Sequence, residues 1–225
     1  MIRRLKREIN ALDEQEDRIP RFCRRLPEPI PLYFSRLERQ LSEAFEAFRS
    51  SVKHLIATSS KTDQLAGAFA VEVLNKRLLL CPYTFANSWF RFREGTASEE
   101  AAEVGAVQAA RRATQEDLDD EQEAEGRYQH AAKTTGAWFQ PLIPHLQAEI
   151  AAVDEALAAL GLELNEAGEV TYPREDERWE RLLDTIEKQL RVGTKWKGSD
   201  RLVIFTEYKD HTGLPGAAVE GGVCR

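Results

Sequence analysis

The chain has no long apolar run. Its longest, Leu78 to Phe90, is too short to span a bilayer and is broken by Pro82 and Asn87. The opening Met1-Ile-Arg-Arg-Leu-Lys-Arg has no apolar core behind its charges, which excludes a secretory leader of the usual kind. No membrane association is expected. Cysteine is scarce: three residues, Cys23, Cys81 and Cys224, lie far apart with no CxxC pair. That argues against a disulfide framework or a zinc site and for a reducing, cytoplasmic compartment. The four histidines, His54, His130, His145 and His211, lack ligand-like spacing, so no metal is expected. An excess of positive charge is missing too. The net charge of -7 gives no general reason to bind nucleic acid, although an average can hide a basic patch. There is no internal repeat, and no single heptad register runs through the chain, which excludes one long coiled coil.

What is present is helical pattern. At 225 residues, with 42% hydrophobic and 31% charged side chains, the chain has room for one large or two small soluble domains. Residues 1–12 read as a short basic amphipathic helix. Pro20, Pro27, Pro29 and Pro31 then favour extended backbone. From Leu32 the signal is strong. Leu37, Leu41, Phe45, Phe48, Val52, Leu55 and Ile56 recur at steps of three and four, the stripe that one buried helix face requires. Ser59, Ser60 and Thr62 are candidate caps for a second long helix, with Leu65, Phe69, Val73, Leu74, Leu78 and Cys81 inward. Pro82 should kink or end it. Tyr83 to Phe92 is aromatic-rich and predicts a further helix packed on the first two. Residues 98–127 are rich in Ala, Glu, Asp and Gln, and the acidic run 116–123 reads as solvated and partly disordered. Trp138 to Leu160 predicts another helix after a break near Pro141 and Pro144, stopped by Gly161. Asn165 to Gly168 reads as a turn. Trp179, Leu183, Ile186 and Leu190 mark a last amphipathic helix.

Leu202 to Phe205, inside Arg201-Leu-Val-Ile-Phe-Thr-Glu-Tyr-Lys-Asp210, is an apolar, β-branched run of the buried parallel-strand type. A buried strand needs neighbours, and no other convincing strand pattern occurs. The expected fold is therefore mainly α: long antiparallel helices, an acidic flexible insertion, and one short strand near the C-terminus that starts an α/β domain left incomplete.

Three segments carry a family resemblance. Met1-Ile-Arg-Arg-Leu-Lys-Arg-Glu-Ile9 with Arg25-Leu-Pro27 resembles the segment leaving the first motor domain of SNF2-type superfamily 2 helicases. Val73-Leu-Asn-Lys-Arg-Leu-Leu79 with Cys81-Pro82 resembles a helix between the two motor domains of bacterial SNF2-like helicases. Trp179 to Tyr208 is similar to the entry into the second, RecA-like motor domain up to motif IV. Within the family the chain is most similar to the RapA-like branch, including the SNF2-like helicase of DISARM-type anti-phage systems. The resemblance implies residues 1–31 as the linker leaving the first motor, 32–192 as a helical inter-motor region, and 193–210 as the start of the second motor. It implies a DNA-dependent ATPase as parent, with ATP and Mg²⁺ as cofactors of that parent, and the other motor domains and DNA as partners.

The groups that ATP hydrolysis needs are not legible in this sequence. Gly193-Thr-Lys-Trp-Lys-Gly198 has P-loop glycine spacing, but Ser199 and Asp200 stand where Lys and Ser/Thr belong. Asp13-Glu14 and Asp120-Glu121 follow no apolar strand that would fix a Mg²⁺-binding pair, so both read as solvated charge. The chain alone is expected to be a non-catalytic piece with no cofactor of its own. The alternative is a stand-alone helical protein–protein interaction module, with self-association as an outlet for its amphipathic faces.

The clearest basic concentration is Arg3, Arg4, Lys6 and Arg7 with Arg21, Arg24 and Arg25; Arg3, Arg4, Lys6, Arg7, Arg24 and Arg25 are the candidate DNA-backbone contacts. Against that, Glu8, Asp13, Glu14 and Glu16 balance a solvated helix face. Tyr83, Phe85, Trp89, Phe90 and Phe92 could stack on bases, but aromatics at helical spacing favour core. Trp138, Phe139, Trp179 and Trp196 carry the same core expectation.

After Asp210 the family pattern predicts Thr-Leu and an apolar helix; residues 211–225 are instead Gly-rich and aperiodic. An extra C after the Asp codon turns a stretch encoding Asp-Thr-Leu-Asp-Tyr-Leu-Ala into the order seen from Asp210 to Gly216. The expectation is a frame shift at about His211. Translating the encoding DNA in all frames checks this: an alternative downstream reading with helicase motifs is expected, and an intact frame with none contradicts it.

Overall fold

A computed structural model of the chain describes residues 5–16, 18–20, 22, 29–116 and 121–198. The predicted strand at 202–205 and the tail at 211–225 lie outside the described residues. The chain divides into two units, Met1–Pro31 and Leu32–Arg225. Among the described residues, no helix is long and apolar enough to cross a membrane.

The first unit holds helix α1, Lys6–Gln15. The Asn10 amide grips the Phe22 backbone both ways, donating to its carbonyl at 2.6 Å and accepting from its N–H at 3.0 Å. A side-chain amide thus ties the loop to the helix.

The second unit is built from seven helices and one small hairpin, all within the described residues. Helix α2 (Arg36–Ile56) opens with a reciprocal cap. Glu38 N–H donates to Ser35 Oγ at 3.1 Å, and Ser35 N–H donates to the Glu38 carboxylate at 2.8 Å. The predicted stripe buries Leu41, Phe45, Phe48, Val52 and Ile56, with Leu37 and Leu55 partly covered. Helix α3 (Lys61–Leu80) starts at Ser60, whose Oγ accepts from Asp63 N–H at 3.2 Å. Phe69, Val73 and Leu74 face inward as expected, but Leu65 is 57% exposed. A 3.6-residue period carries that position round to the outer face. Pro82 ends α3 and begins α4 (Pro82–Thr96), where its missing N–H costs nothing.

Helix α5 (Val104–Ala113) lies inside the acidic insertion and buries Val107 and Ala110. Arg127 clamps the insertion's far side, donating to Glu116 at 2.6 Å, to Glu123 at 2.8 Å and to the Ala113 carbonyl at 3.1 Å. Helix α6 (Glu121–Phe139) runs into a 3₁₀ turn at Gln140–His145, the predicted break, and then α7 (Gln147–Ala159). Gly161 stops α7 at φ +80°, a left-handed position that suits glycine. A bridge between Leu164 and Val170 closes the Asn165–Gly168 turn. Helix α8 (Glu177–Leu190) leads into strands β1 (Arg191–Val192) and β2 (Lys195–Trp196), which pair antiparallel.

Contacts fix the directions. Ile56 at the end of α2 meets Gly67 near the start of α3, so these two run antiparallel. Arg77 on α3 meets both Ser88 on α4 and Glu125 near the start of α6, while Trp138 near the end of α6 meets Gly67. Hence α4 and α6 both oppose α3 and run the same way as each other. Helix α7 touches α2 through Ser51–Glu149 (2.6 Å) and α4 through Trp89–Asp154 (2.7 Å).

Phe48 centres the larger core, with ring centroids 5.3 Å from Trp89, 5.9 Å from Phe92 and 6.1 Å from Phe139. Burying each such ring contributes about 1.5–3 kcal/mol, and well-set aromatic pairs add roughly 0.5–1.5 kcal/mol. The aromatics of α4 are therefore core, with Phe85, Trp89 and Phe92 fully buried. A second cluster joins Phe69 and Val73 of α3, Val107 and Ala110 of α5, and Ala131 and Ala132 of α6.

Trp138, near the end of α6, packs against both clusters, and the closest approach of α4 and α6 lies beside it. A Cβ added at Gly95 would overlap the Lys133 carbonyl and lie 2.8 Å from Ala137 N; one at Gly136 would overlap the Phe92 carbonyl, 2.8 Å from its carbon. Backbone cannot step aside as a flexible side chain can. Beside the crossing, Glu94 takes hydrogen bonds from Lys133 and Arg91, and these hold its carboxyl below the ordinary carboxylate range. Such a group contributes stability above its unfolded value that is lost as pH falls through its folded one. Its exposure keeps that contribution small.

Gly136→Ala should destabilise the chain by at least the roughly 1–3 kcal/mol typical of overpacking. Gly105→Ala, where an added Cβ meets nothing within 4 Å, should instead gain about 0.5–1 kcal/mol. Urea unfolding of the two variants checks the contrast.

Candidate functional site

The last turn of a helix leaves carbonyls unpaired. At the end of α3 one of these, Leu79 C=O, accepts from Arg178 Nη2 at 3.2 Å, in the first turn of α8. The two helices are 99 residues apart in sequence at this bond. The Arg178 guanidinium also stacks on Phe34, 4.8 Å from its centroid, and Arg181 lies 5.9 Å from that of Tyr33. Asp176 caps α8, accepting from the N–H groups of Arg178 and Trp179 at 3.1 Å. Buried Glu38 accepts from Glu177 N–H at 3.3 Å while its other oxygen closes the α2 cap. Tyr83 stacks on Tyr172 at 5.0 Å. Cys81 sits in the same corner, its sulfur capping Thr84 N–H at 3.4 Å. Burial pushes this thiol's pKa up, and Asp176 adds to the rise. It is therefore a poor nucleophile.

One turn back along α3, Arg77 is fully buried. Its Nε donates to Ser88 Oγ at 3.0 Å, its Nη2 to Glu125, and its guanidinium lies 5.6 Å from the Tyr128 centroid. Glu125 also accepts from Gln129 at 3.2 Å. A charge taken out of water must be paired and hydrogen-bonded, and two helices, α4 and α6, supply the partners. The Arg77 cluster ties α3, α4 and α6 together at their polar interior.

The candidate DNA contacts are only partly placed. Arg3, Arg4, Arg24 and Arg25 lie outside the described residues, as does Arg21. Arg7 falls within α1, and Lys6 holds its ammonium 5.6 Å from the Phe22 centroid. The Gly193–Gly198 stretch, with its P-loop spacing, forms the β1–β2 turn and second strand, with Gly193 at φ +61°. Trp196 does not join the core: it is 46% exposed, its hairpin being only two residues deep and, among the described residues, paired with no further strand. Trp138 and Trp179 are half-buried and Phe139 fully so. Among the described residues no group of three or more His, Cys, Asp or Glu could hold a metal ion. A groove of about 710 Å³ is lined chiefly by alanines of α5 with His130, Lys133 and Thr134 of α6.

Sequence reasoning passed over Arg77 and Arg178. Arg77 carried a weak signal, a cation on the inward side of α3 directly before the apolar Leu78 to Leu80. Arg178 carried none, since its sequence context is that of an ordinary surface arginine and only the docking of α8 gives it a partner. No protein-family model, no curated protein and no solved structure matches this chain.

Arg77→Ala should cost about 3–5 kcal/mol, since it leaves Glu125 half-buried without its cation. The double variant Arg77→Met/Glu125→Leu should cost less than the sum of its singles, by about 1–3 kcal/mol. Denaturant unfolding of the four proteins measures the coupling, and strict additivity would contradict the tie.

Proposed function

We propose that this chain is the helical region linking the two motor domains of an SNF2-like, DNA-dependent ATPase, and that by itself it is non-catalytic. One observation carries the reading. The end of α3, within the second segment that resembles the family, is touched at the Leu79 carbonyl by Arg178, the residue just before the third such segment, which begins at Trp179. Segments separated by an insertion in sequence are neighbours in space, as they must be if they belong to one inherited junction. The insertion, with α5, α6 and α7, grows out of that junction and returns to it.

The physical role follows from rigidity. A body with two packed cores and a buried arginine tie transmits force between whatever its ends are joined to, instead of absorbing it in bending. Helix α8 leaves the junction beside α3 and carries the chain toward residue 201. A motion of the following domain would thus act on the end of α3 through the Arg178 contacts. The groups that bind Mg²⁺-ATP belong to the parent's motor domains in this reading.

A second reading, a helical interaction module, is favoured by α8 itself. Trp179, Leu183, Ile186 and Leu190 form one stripe, yet no residue of the helix is fully buried. In the motor reading that stripe meets the following domain; in the second it meets a separate protein or a second copy.

Two measurements test these readings, and the second decides between them. The purified chain should turn over no ATP, with or without DNA. The DNA upstream of the frame should encode a strand, a P-loop and an Asp-Glu box. ATP turnover by the chain refutes the non-catalytic assignment, and flanks free of motor sequence refute the motor reading in favour of the module.

A further inference from the structure

The hairpin beyond α8 is chemically unlike the rest of the molecule. Residues 188–198 hold Lys188, Arg191, Lys195 and Lys197 and no carboxylate, in a chain whose net charge is -7. Two of the cations are partly answered from α8, Lys188 by Asp184 at 2.7 Å and Arg191 by Glu187 at 2.6 Å. Lys195 is exposed, and Lys197 donates to the Gln189 carbonyl. Between the last two stands Trp196, 46% exposed, with the Arg191 guanidinium stacked 4.6 Å from its ring centroid. Cross-strand pairing sets Trp196 opposite Arg191 and Lys195 opposite Val192. One face of the hairpin is therefore an aromatic plane backed by a guanidinium. The other carries Lys195 opposite Val192.

An exposed tryptophan is expensive to leave in water unless something covers it. A planar π-face flanked by cations on long stems is the arrangement that takes an unstacked base and its phosphates together. We propose that the β1–β2 hairpin is a contact for single-stranded nucleic acid, with a base stacked on Trp196 and the adjoining phosphate held by Lys195. Lys195 adjoins Trp196 in β2, and its flexible four-carbon stem lets an exposed ammonium swing toward the phosphate of a base stacked there. The class of ligand rests on the DNA-acting reading above; the site rests on the hairpin's own geometry.

The test is fluorescence anisotropy of a labelled oligothymidylate titrated with the 225-residue chain at several salt concentrations. Trp196→Ala and Lys195→Glu serve as variants, and far-UV circular dichroism verifies their folding. Both side chains are exposed, so neither substitution disturbs a core. Binding should weaken with salt. Trp196→Ala should reduce affinity about tenfold, and Lys195→Glu should also lower the salt slope by about one. Absence of binding by the folded chain overturns the proposal. So does binding equal in all three proteins, which would put the contact elsewhere, as at the basic N-terminal segment. Trp196-dependent binding to vesicles of anionic lipid with none to the oligonucleotide overturns it in favour of a lipid surface. A dimer dissolved by Trp196→Ala, again without oligonucleotide binding, overturns it in favour of contact between copies. Trp196-dependent binding with no motor sequence beside the frame would keep the site and discard the motor. Motor sequence with no binding would do the reverse.

Discussion

Two glycines set how close α4 and α6 can come, and the rest of the helical body is arranged around that approach. With no side chain at Gly95 or Gly136, the Lys133 and Phe92 carbonyls occupy space that a methyl group would fill. The close crossing places Phe92 on one side against Phe48 and Phe139, and Ala131 and Ala132 on the other against α3 and α5. Two clusters of buried side chains thus share one wall. Widening that wall by a methyl group would open both, which makes the cost of a substitution there larger than its own volume suggests.

Helix α3 depends on the crossing and also reinforces it. Its Gly67 end meets Trp138 and Ile56, its middle is bound through Arg77 to α4 and α6, and its last turn receives Arg178 from α8 at the Leu79 carbonyl. These contacts differ in chemistry: apolar burial, a buried charge pair, and a capped carbonyl. Such diversity gives a unique packing, because each contact fails differently if the helix slides or rotates. In the proposed role this fixed α3 is the element through which the end of the helical region and its beginning are held in register.

How much of this the sequence disclosed depends on the physics behind each feature. The stripe from Leu41 to Ile56 was legible because a buried helix face repeats at a countable period, and Ser60 and Gly161 mark boundaries by local hydrogen bonding and backbone freedom. The aromatic run of α4 was legible as core for the same reason. The crossing was not, since a glycine inside a helix reads only as weak helix propensity until a neighbour's backbone is seen against it. Helix α5 was hidden in an alanine-rich, acidic composition whose few apolar groups, Val107 and Ala110, suffice once α3 and α6 are present. Trp196 read as core because tryptophan usually is; its exposure comes from a hairpin too small to bury it. Of the candidate site, α3 and α8 were visible as separate segments, but the Arg178 contact between them is tertiary and left no periodic trace. The basic residues of the first segment fall largely outside the described residues.

If the α4–α6 crossing organises the larger unit as one cooperative body, its amides must be the last to open. Amide hydrogen exchange across the chain, followed by mass spectrometry under native conditions, measures that order. Amides of 92–96 and 136–139 should exchange only with global unfolding and be the slowest in the chain. Those of α5 and of the hairpin at 191–196 should open earlier. Crossing amides that exchange faster than the α2–α3 pair would contradict this organisation, because the two cores would then stand without the wall between them.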